Sequence, residues 1–372
     1  MDNTIQSTAP KKERITSIDA LRAFTLLGIL IVHANEGFGF HYDSIHNDLD
    51  YLLYKFVFFL LASKCNTIFA ILFGVSFYLI LRNPKNTNAK FVWRCFLLML
   101  IGLFNKLFYS YDALMRYGFC GMFLILFRDI KPKWLFVISI CLLMAHIFIL
   151  PKFQLGTLLL GPVTVQRYGI NKSFCDVLSN PYTVADYLRI VLDDNTLRVF
   201  AMFIMGYGIA KIGMIEHIEE RLTKRILVIS WVVFIFFFMI NFLLYNYWAQ
   251  NHLMNELTNY SASFAYALAL LYVYYHSGVG NRLLRFFEPY GKLGLTNYSM
   301  GGILGVVFIN QFGLGLYKYP LTIVVMFFIG FFLLQAVFSY YWLRYFTYGP
   351  MEYVWRVATE RKQIPFRRHL SD

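Results

Sequence analysis

Residues 18–36, IDALRAFTLLGILIVHANE, decide the fold. The apolar stretch from about Ile18 to Ala34 exceeds the h-region of a secretory signal, and no small-residue cleavage site follows it. Led in by Lys11, Lys12, Glu13 and Arg14, it is expected to remain as a first membrane-spanning helix. A helix needs roughly 20 apolar residues to cross the hydrocarbon of a bilayer. By that measure ten spans are expected, near 18–36, 64–81, 91–110, 112–128, 134–150, 197–213, 226–248, 259–276, 293–312 and 321–345.

Composition agrees with this reading. The 372 residues are 58% hydrophobic and only 15% charged, an apolar load that a water-soluble fold could not hide. The net charge of +13 does not point to nucleic acid, because the basic residues are scattered through loops and form no single stripe. They follow topology instead. Arg82, Lys85 and Lys90 lie between spans two and three, and Arg128, Lys131 and Lys133 between four and five. Lys211, Arg221, Lys224 and Arg225 follow span six, Arg282, Arg285 and Lys292 follow span eight, and Arg356, Arg361, Lys362, Arg367 and Arg368 fill the tail. The positive-inside rule then puts both termini in the cytoplasm.

The expected fold is an all-α integral membrane bundle of about ten transmembrane helices, a single domain over 1–372 in the cell membrane. Residues 1–17 form a cytoplasmic segment, 37–63 an outer loop whose stretch 51–62 lies at the interface, 151–196 a long outer loop, and 346–372 a basic cytoplasmic tail. Cys65, Cys95, Cys120 and Cys141 sit in or beside apolar runs and Cys175 in a polar loop, with no CxxC pattern. No internal repeat of the kind that builds transporters from two halves is evident.

Ionisable residues inside a bilayer are costly and therefore functional candidates. In span one Asp19, Arg22, His33 and Glu36 share a stripe. Asp19 can pair with Arg22 one turn on, and His33 rises about 16 Å above Arg22 on the same face. His33 suits a general base and Arg22, with Arg94 in span three, suits an anionic donor. As packing groups, Asp19 and Arg22 would be interfacial anchors and His33 a hydrogen-bonded core residue. Asp112 and Arg116 are four residues apart and can pair. Thr296, Asn297 and Tyr298 can bond helices together or line a substrate. His41 and His46, with Asp43 and Asp48, lack a third cluster, so no metal is expected. Lys64 reads as a snorkelling anchor and His146 as a packed core residue.

Several blocks carry a resemblance across nearly the whole chain: RITSIDALRAFTLLGIL (14–30), KCNTIFAILFGVSF (64–77), RCFLLMLIGLFNKL (94–107), DALMRYGFCG (112–121), MFIMGYGIAKIG (202–213), GKLGLTNYS (291–299) and SYYWLRYFTYGPMEYVWR (339–356). In this order they resemble the YeiB-type bacterial membrane family, a domain of unknown function. That family is distantly similar to transmembrane acyltransferases of the acyltransferase-three type, whose R-x10-H motif Arg22 and His33 also match, and to the heparan-alpha-glucosaminide N-acetyltransferase. The resemblance implies transfer of an acyl group from cytoplasmic acyl-CoA to a small-molecule, glycan or lipid acceptor at the outer side. It also puts Asp112 and Arg116 in a site-lining block and makes His41 and His46 alternative bases. The chain departs from the pattern at His33, where the family commonly has Asn, and at Asn105, where it commonly has His.

Catalytic candidates are thus His33, Arg22 and Asp19, with Arg22 and Arg94 on the donor and Glu36, His41, His46, Asn105, Asp112, Arg116 and Asn297 lining the substrate. A transporter or flippase and a non-catalytic membrane protein are the competing classes. The lipid bilayer is the expected partner, and assembly with further copies of the chain is left open.

Overall fold

The structure is a computed structural model and describes residues 15–36, 45–83, 86–108, 112–148, 194–244, 252–309 and 313–368. Each of the ten apolar stretches coincides with a helix: α1 (Thr16–Asn35), α3 (Lys64–Leu81), α4 (Asn88–Lys106), α5 (Leu114–Leu124), α6 (Pro132–Phe148), α7 (Asp194–Lys211), α9 (Lys224–Leu244), α10 (His252–His276), α12 (Gly294–Ile309) and α13 (Leu321–Tyr345). Four more α-helices lie among the described residues: α2 (Asp48–Leu60), α8 (Ile218–Arg221), α11 (Gly278–Lys292) and α14 (Pro350–Glu360). Among the described residues there is no sheet; one isolated bridge joins Phe346 to Arg367.

Among the described residues, five helical stretches are long and apolar enough to cross a membrane, or six if the bent pair α11 and α12 counts as one. One of the five is α9, whose sides are almost wholly exposed yet apolar, with Val228, Phe236 and Phe242 outward. In water such a surface would be untenable; against hydrocarbon it is the ordinary state of a peripheral helix.

At the centre, α1 is enclosed on most sides and α3 packs hard on α7. Gly74 allows this second contact, because a side chain there would strike the Phe203 carbonyl of α7. Phe69, Phe73 and Phe77, one turn apart on α3, form an aromatic layer with Tyr117 of α5 and Phe203 of α7. The Tyr117 ring lies 4.8 Å from that of Phe73 and 5.2 Å from that of Phe203. The segment 51–62 is helical, and α2 is tied to α13 because Asp50 accepts from the Thr322 backbone N–H at 2.9 Å and hydroxyl at 2.6 Å.

The segment after span eight, read as a basic loop, is the helix α11. It meets α12 at a 77° bend around Leu293. Polar residues on one side of α11 hid it from a search for apolar runs, although Leu283, Phe286 and Phe287 recur at helical spacing.

Candidate functional site

A cavity of about 450 Å³ opens at the basic end of the bundle. Its walls come from α1 (Arg22), the last four turns of α3, the start of α4 (Arg94), the α11–α12 bend and α14. Along α3 it reaches from Asn83 back to Phe69, about 21 Å at a rise of about 1.5 Å per residue. It is therefore a long slot running most of the way through the bundle.

Four cations line this slot: Arg22, Arg94, Lys292 and Arg356. The Arg22 guanidinium donates to Asp19 at 2.7 Å and also bonds the Ser76 hydroxyl on α3, which fixes it across the α1–α3 contact. Arg94 lies over the Trp355 ring at 4.9 Å, while the Trp355 indole N–H donates to the Arg94 carbonyl at 3.0 Å. The Nε of Arg94 is buried with no hydrogen-bond partner among the described residues.

Two carboxylates stand on the same wall, and both are engaged. Glu352 of α14 accepts from the backbone N–H of Leu295 at 2.8 Å and of Thr296 at 3.1 Å, and from the Thr296 hydroxyl. It thereby caps the start of α12 with negative charge, where the helix dipole favours it. Burial pushes its carboxyl above the usual range, although these bonds pull the other way. Glu360 pairs with Lys90 at 2.6 Å, and that bond holds its carboxyl below the usual range. Gly291, in GKLGLTN, completes the bend: its backbone abuts the Asp19 carbonyl of α1 so closely that no side chain fits.

At the deep end Tyr298 of α12 belongs to two spaces. It lines the slot and also a separate chamber of about 20 Å³ with His33, Asn297 and Leu30. Its hydroxyl accepts from the Ala113 backbone N–H at 3.0 Å. Next to it, Asn105 Nδ2 donates to Asp112 at 3.2 Å and to Ser299 at 3.0 Å, while Asn105 Oδ1 is buried without a partner among the described residues. Asp112 also accepts from the Leu114 N–H at 2.9 Å, so it caps α5.

The candidates from sequence thus fall into groups. Arg22 and Arg94 line the slot, with Asp19 bonded to Arg22 behind it; Asn105 and Asp112 stand beside its inner wall. His33 does not share the slot with Arg22, as the common stripe led one to expect. Leu26, Leu30 and Tyr298 come between the two, because α12 packs across α1 at that level. Asn297 lines the chamber of His33, yet its amide Nδ2 is committed to the Tyr290 carbonyl at 3.0 Å and Ser339 at 2.9 Å, bracing the bend. Glu36 is exposed and 3.9 Å from His33 Nδ1. His46 is on an exposed turn, its backbone N–H donating to Asp50 at 3.1 Å. Arg116 is half-buried on α5 away from the slot. His41 and the loop 152–190 lie outside the described residues.

The sequence reading gave no site role to Lys292, Trp355, Arg356 or Glu352. The only signal was their place in the quoted blocks GKLGLTNYS and SYYWLRYFTYGPMEYVWR, and these two blocks meet in space around the Glu352–Thr296 contact.

Those two blocks also carry the comparison with known proteins. Residues 209–362 match the family described as "Protein of unknown function (DUF418)". This DUF418 portion holds the bend, Tyr298 and the α14 wall, while α1, α3 and α4 complete the slot from outside it. Over nearly its whole length the chain is similar to two curated proteins. It is 28% identical to an "Uncharacterized 39.9 kDa protein in amylase 3'region" of Bacillus acidopullulyticus, covering 95% of this chain and 96% of that one. It is 27% identical to "Uncharacterized protein YxaH" of Bacillus subtilis (strain 168), covering 93% and 94%.

Proposed function

We propose that the protein is a membrane-embedded acyltransferase with ten crossing helices and both termini in the cytoplasm, taking an acyl group from a cytoplasmic thioester such as acyl-CoA. The observation that carries this reading is the slot: cations at its mouth, aromatic rings at its depth, and Tyr298 between it and His33. A donor with phosphates on a long thiol-ended arm needs positive charge at one end and a narrow passage beyond it. Arg94, Lys292 and Arg356 meet the first need, and the carboxylates beside them are already engaged by α12 and Lys90. The rings of Phe69, Phe73 and Tyr298 border the second.

In this reading His33 takes the proton of the acceptor hydroxyl as its oxygen attacks the thioester carbonyl. The carbon–sulfur bond then breaks and the thiolate leaves with that proton, yielding ester and free thiol. Because Tyr298 stands between slot and chamber, its ring must turn aside for the two reactants to meet.

A transporter would also use a broken helix, whose open N-terminus receives the substrate. Here the start of α12 is occupied by Glu352, which favours the enzyme. The test is equilibrium binding of CoA and acetyl-CoA to the full chain in detergent, with thioester hydrolysis followed in parallel. Arg94→Ala should weaken binding at least about tenfold, a loss of about 1.4 kcal/mol. Binding that is undetectable in the wild-type protein, or unchanged in the variant, would refute the donor role of the slot.

A further inference from the structure

Across the aromatic layer from the slot, the opposite ends of the helices gather a second charged group. Lys64 opens α3, Arg198 lies one turn into α7 and Glu256 one turn into α10. Arg198 Nη1 is 3.7 Å from Glu256 Oε1, and Lys64 stands within electrostatic reach of the same carboxylate. Lys64 is 5% exposed and Glu256 7%, so charges have been withdrawn from solvent at considerable cost.

A purely structural ion pair closes its remaining hydrogen-bonding positions. This one does not. Glu256 Oε2 and Thr196 Oγ1 are buried with no hydrogen-bond partner among the described residues. Tyr260, one turn on along α10, turns its hydroxyl toward that carboxylate, whereas Thr196 faces no such neighbour. Two cations face one carboxylate, which leaves a positive charge to be answered. A buried hydroxyl in need of a partner beside a surplus cation describes a ligand that brings both a hydrogen-bonding group and negative charge.

Its distance from the slot is one layer of rings. Tyr117, within reach of Arg198, packs on Phe69 at 5.9 Å and Phe73 at 4.8 Å, both of which line the slot. The cluster is thus placed to hold a reactant that arrives from the side opposite the donor.

We propose that Lys64, Arg198, Glu256 and Thr196 bind the acyl acceptor, a hydroxyl-bearing head group that also carries a negative charge. This rests on the acyl-transfer reading for its purpose, but its binding can be measured apart from any reaction. Such chemistry is shared by a soluble polyol phosphate and by an anionic phospholipid head group, and two probes separate them. Thermal melting of the full chain in detergent is followed with sn-glycerol 3-phosphate, with phosphatidylglycerol and with phosphatidylcholine as a neutral control.

One of the first two should raise the melting temperature by several degrees beyond the control. Arg198→Gln, which removes the surplus cation, and Thr196→Val should lose that rise while melting cooperatively on their own. The probe that acts identifies the source as soluble or lipid. No rise with either probe, or an equal rise in both variants, would overturn the proposal. Should Arg198→Gln fail to fold, the milder Thr196→Val decides alone. Ligand binding without acyl transfer would count against the enzymatic reading and leave this site standing.

Discussion

The two ends of α1 have the same helix behind them and opposite surroundings in front. Around Arg22 the bundle is open: the slot holds about 450 Å³, and the guanidinium is anchored by Asp19 and Ser76. Around His33 it is nearly closed, with a chamber of about 20 Å³. A shared helical face therefore guarantees a shared direction and nothing more. What the two side chains look upon is decided by α12, which crosses α1 below His33 and inserts Tyr298 between them.

The sharpest way to break this contrast is at the closed end. His33→Gln keeps the size of the side chain and a donor but cannot accept and hold a proton. If His33 is the base, acyl transfer should fall by roughly 10²-fold or more, the usual scale of general-base catalysis. CoA binding in the slot should stay within about twofold, since Tyr298 and Leu26 separate the two. Transfer that survives at the wild-type rate would move the base elsewhere, with Asp112 beside Tyr298 as one candidate.

A smaller effect is expected from the partition itself. Tyr298→Ala removes the ring common to slot and chamber and the acceptor of the Ala113 N–H. A fully buried aromatic costs about 3–5 kcal/mol to truncate, and Tyr298, partly exposed to the slot, should cost less, so a modestly lower melting temperature is expected as well. The informative readout is access. In a background without native cysteines, a cysteine placed at position 33 should react with a charged thiol reagent from the slot side about tenfold faster when Tyr298 is Ala. Equal rates would mean that the two spaces already communicate by another route.

The sequence showed the helices and half of the site, and the reason for the division is local. Runs such as 64–81 and 321–345 are apolar for longer than any loop, so their helices could be read one at a time. Arg22 with Arg94 could also be read, because each begins a span at the same basic end. The rest depends on contacts distant in the chain. Thr296 meets Glu352 across 56 residues and Arg94 meets Trp355 across 261. Neither residue carries a periodicity that announces its partner, and α11 was concealed because its polar side spoils the apolar count. The separation of His33 from Arg22 was invisible for the same reason: the intruding ring belongs to a helix about 270 residues away.

The smallest effect should come from the exposed rim, where α14 offers two carboxylates in contrasting settings. Glu352 is buried, and its carboxyl is raised above its unfolded value chiefly by that burial. Its native state thus holds a proton more tightly than the unfolded chain, and acid stabilises rather than loosens this end of the helix. Glu360 is the reverse. Its bond to Lys90 depresses the carboxyl, so its contribution is present above the unfolded value near 4.5 and is lost as pH falls through the lower folded value. Because the Glu360 side chain is 38% exposed, solvent and salt screen the pair, and it is worth at most about 0.5 kcal/mol. Melting in detergent between pH 7 and 3.5 should therefore show a decline that Glu360→Gln lessens by a degree or so and that high salt reduces. A decline left unchanged in Glu360→Gln would place the acid-sensitive contact outside α14, at Asp50 and Thr322 for example, since Glu352 on the same helix drives stability in the opposite direction.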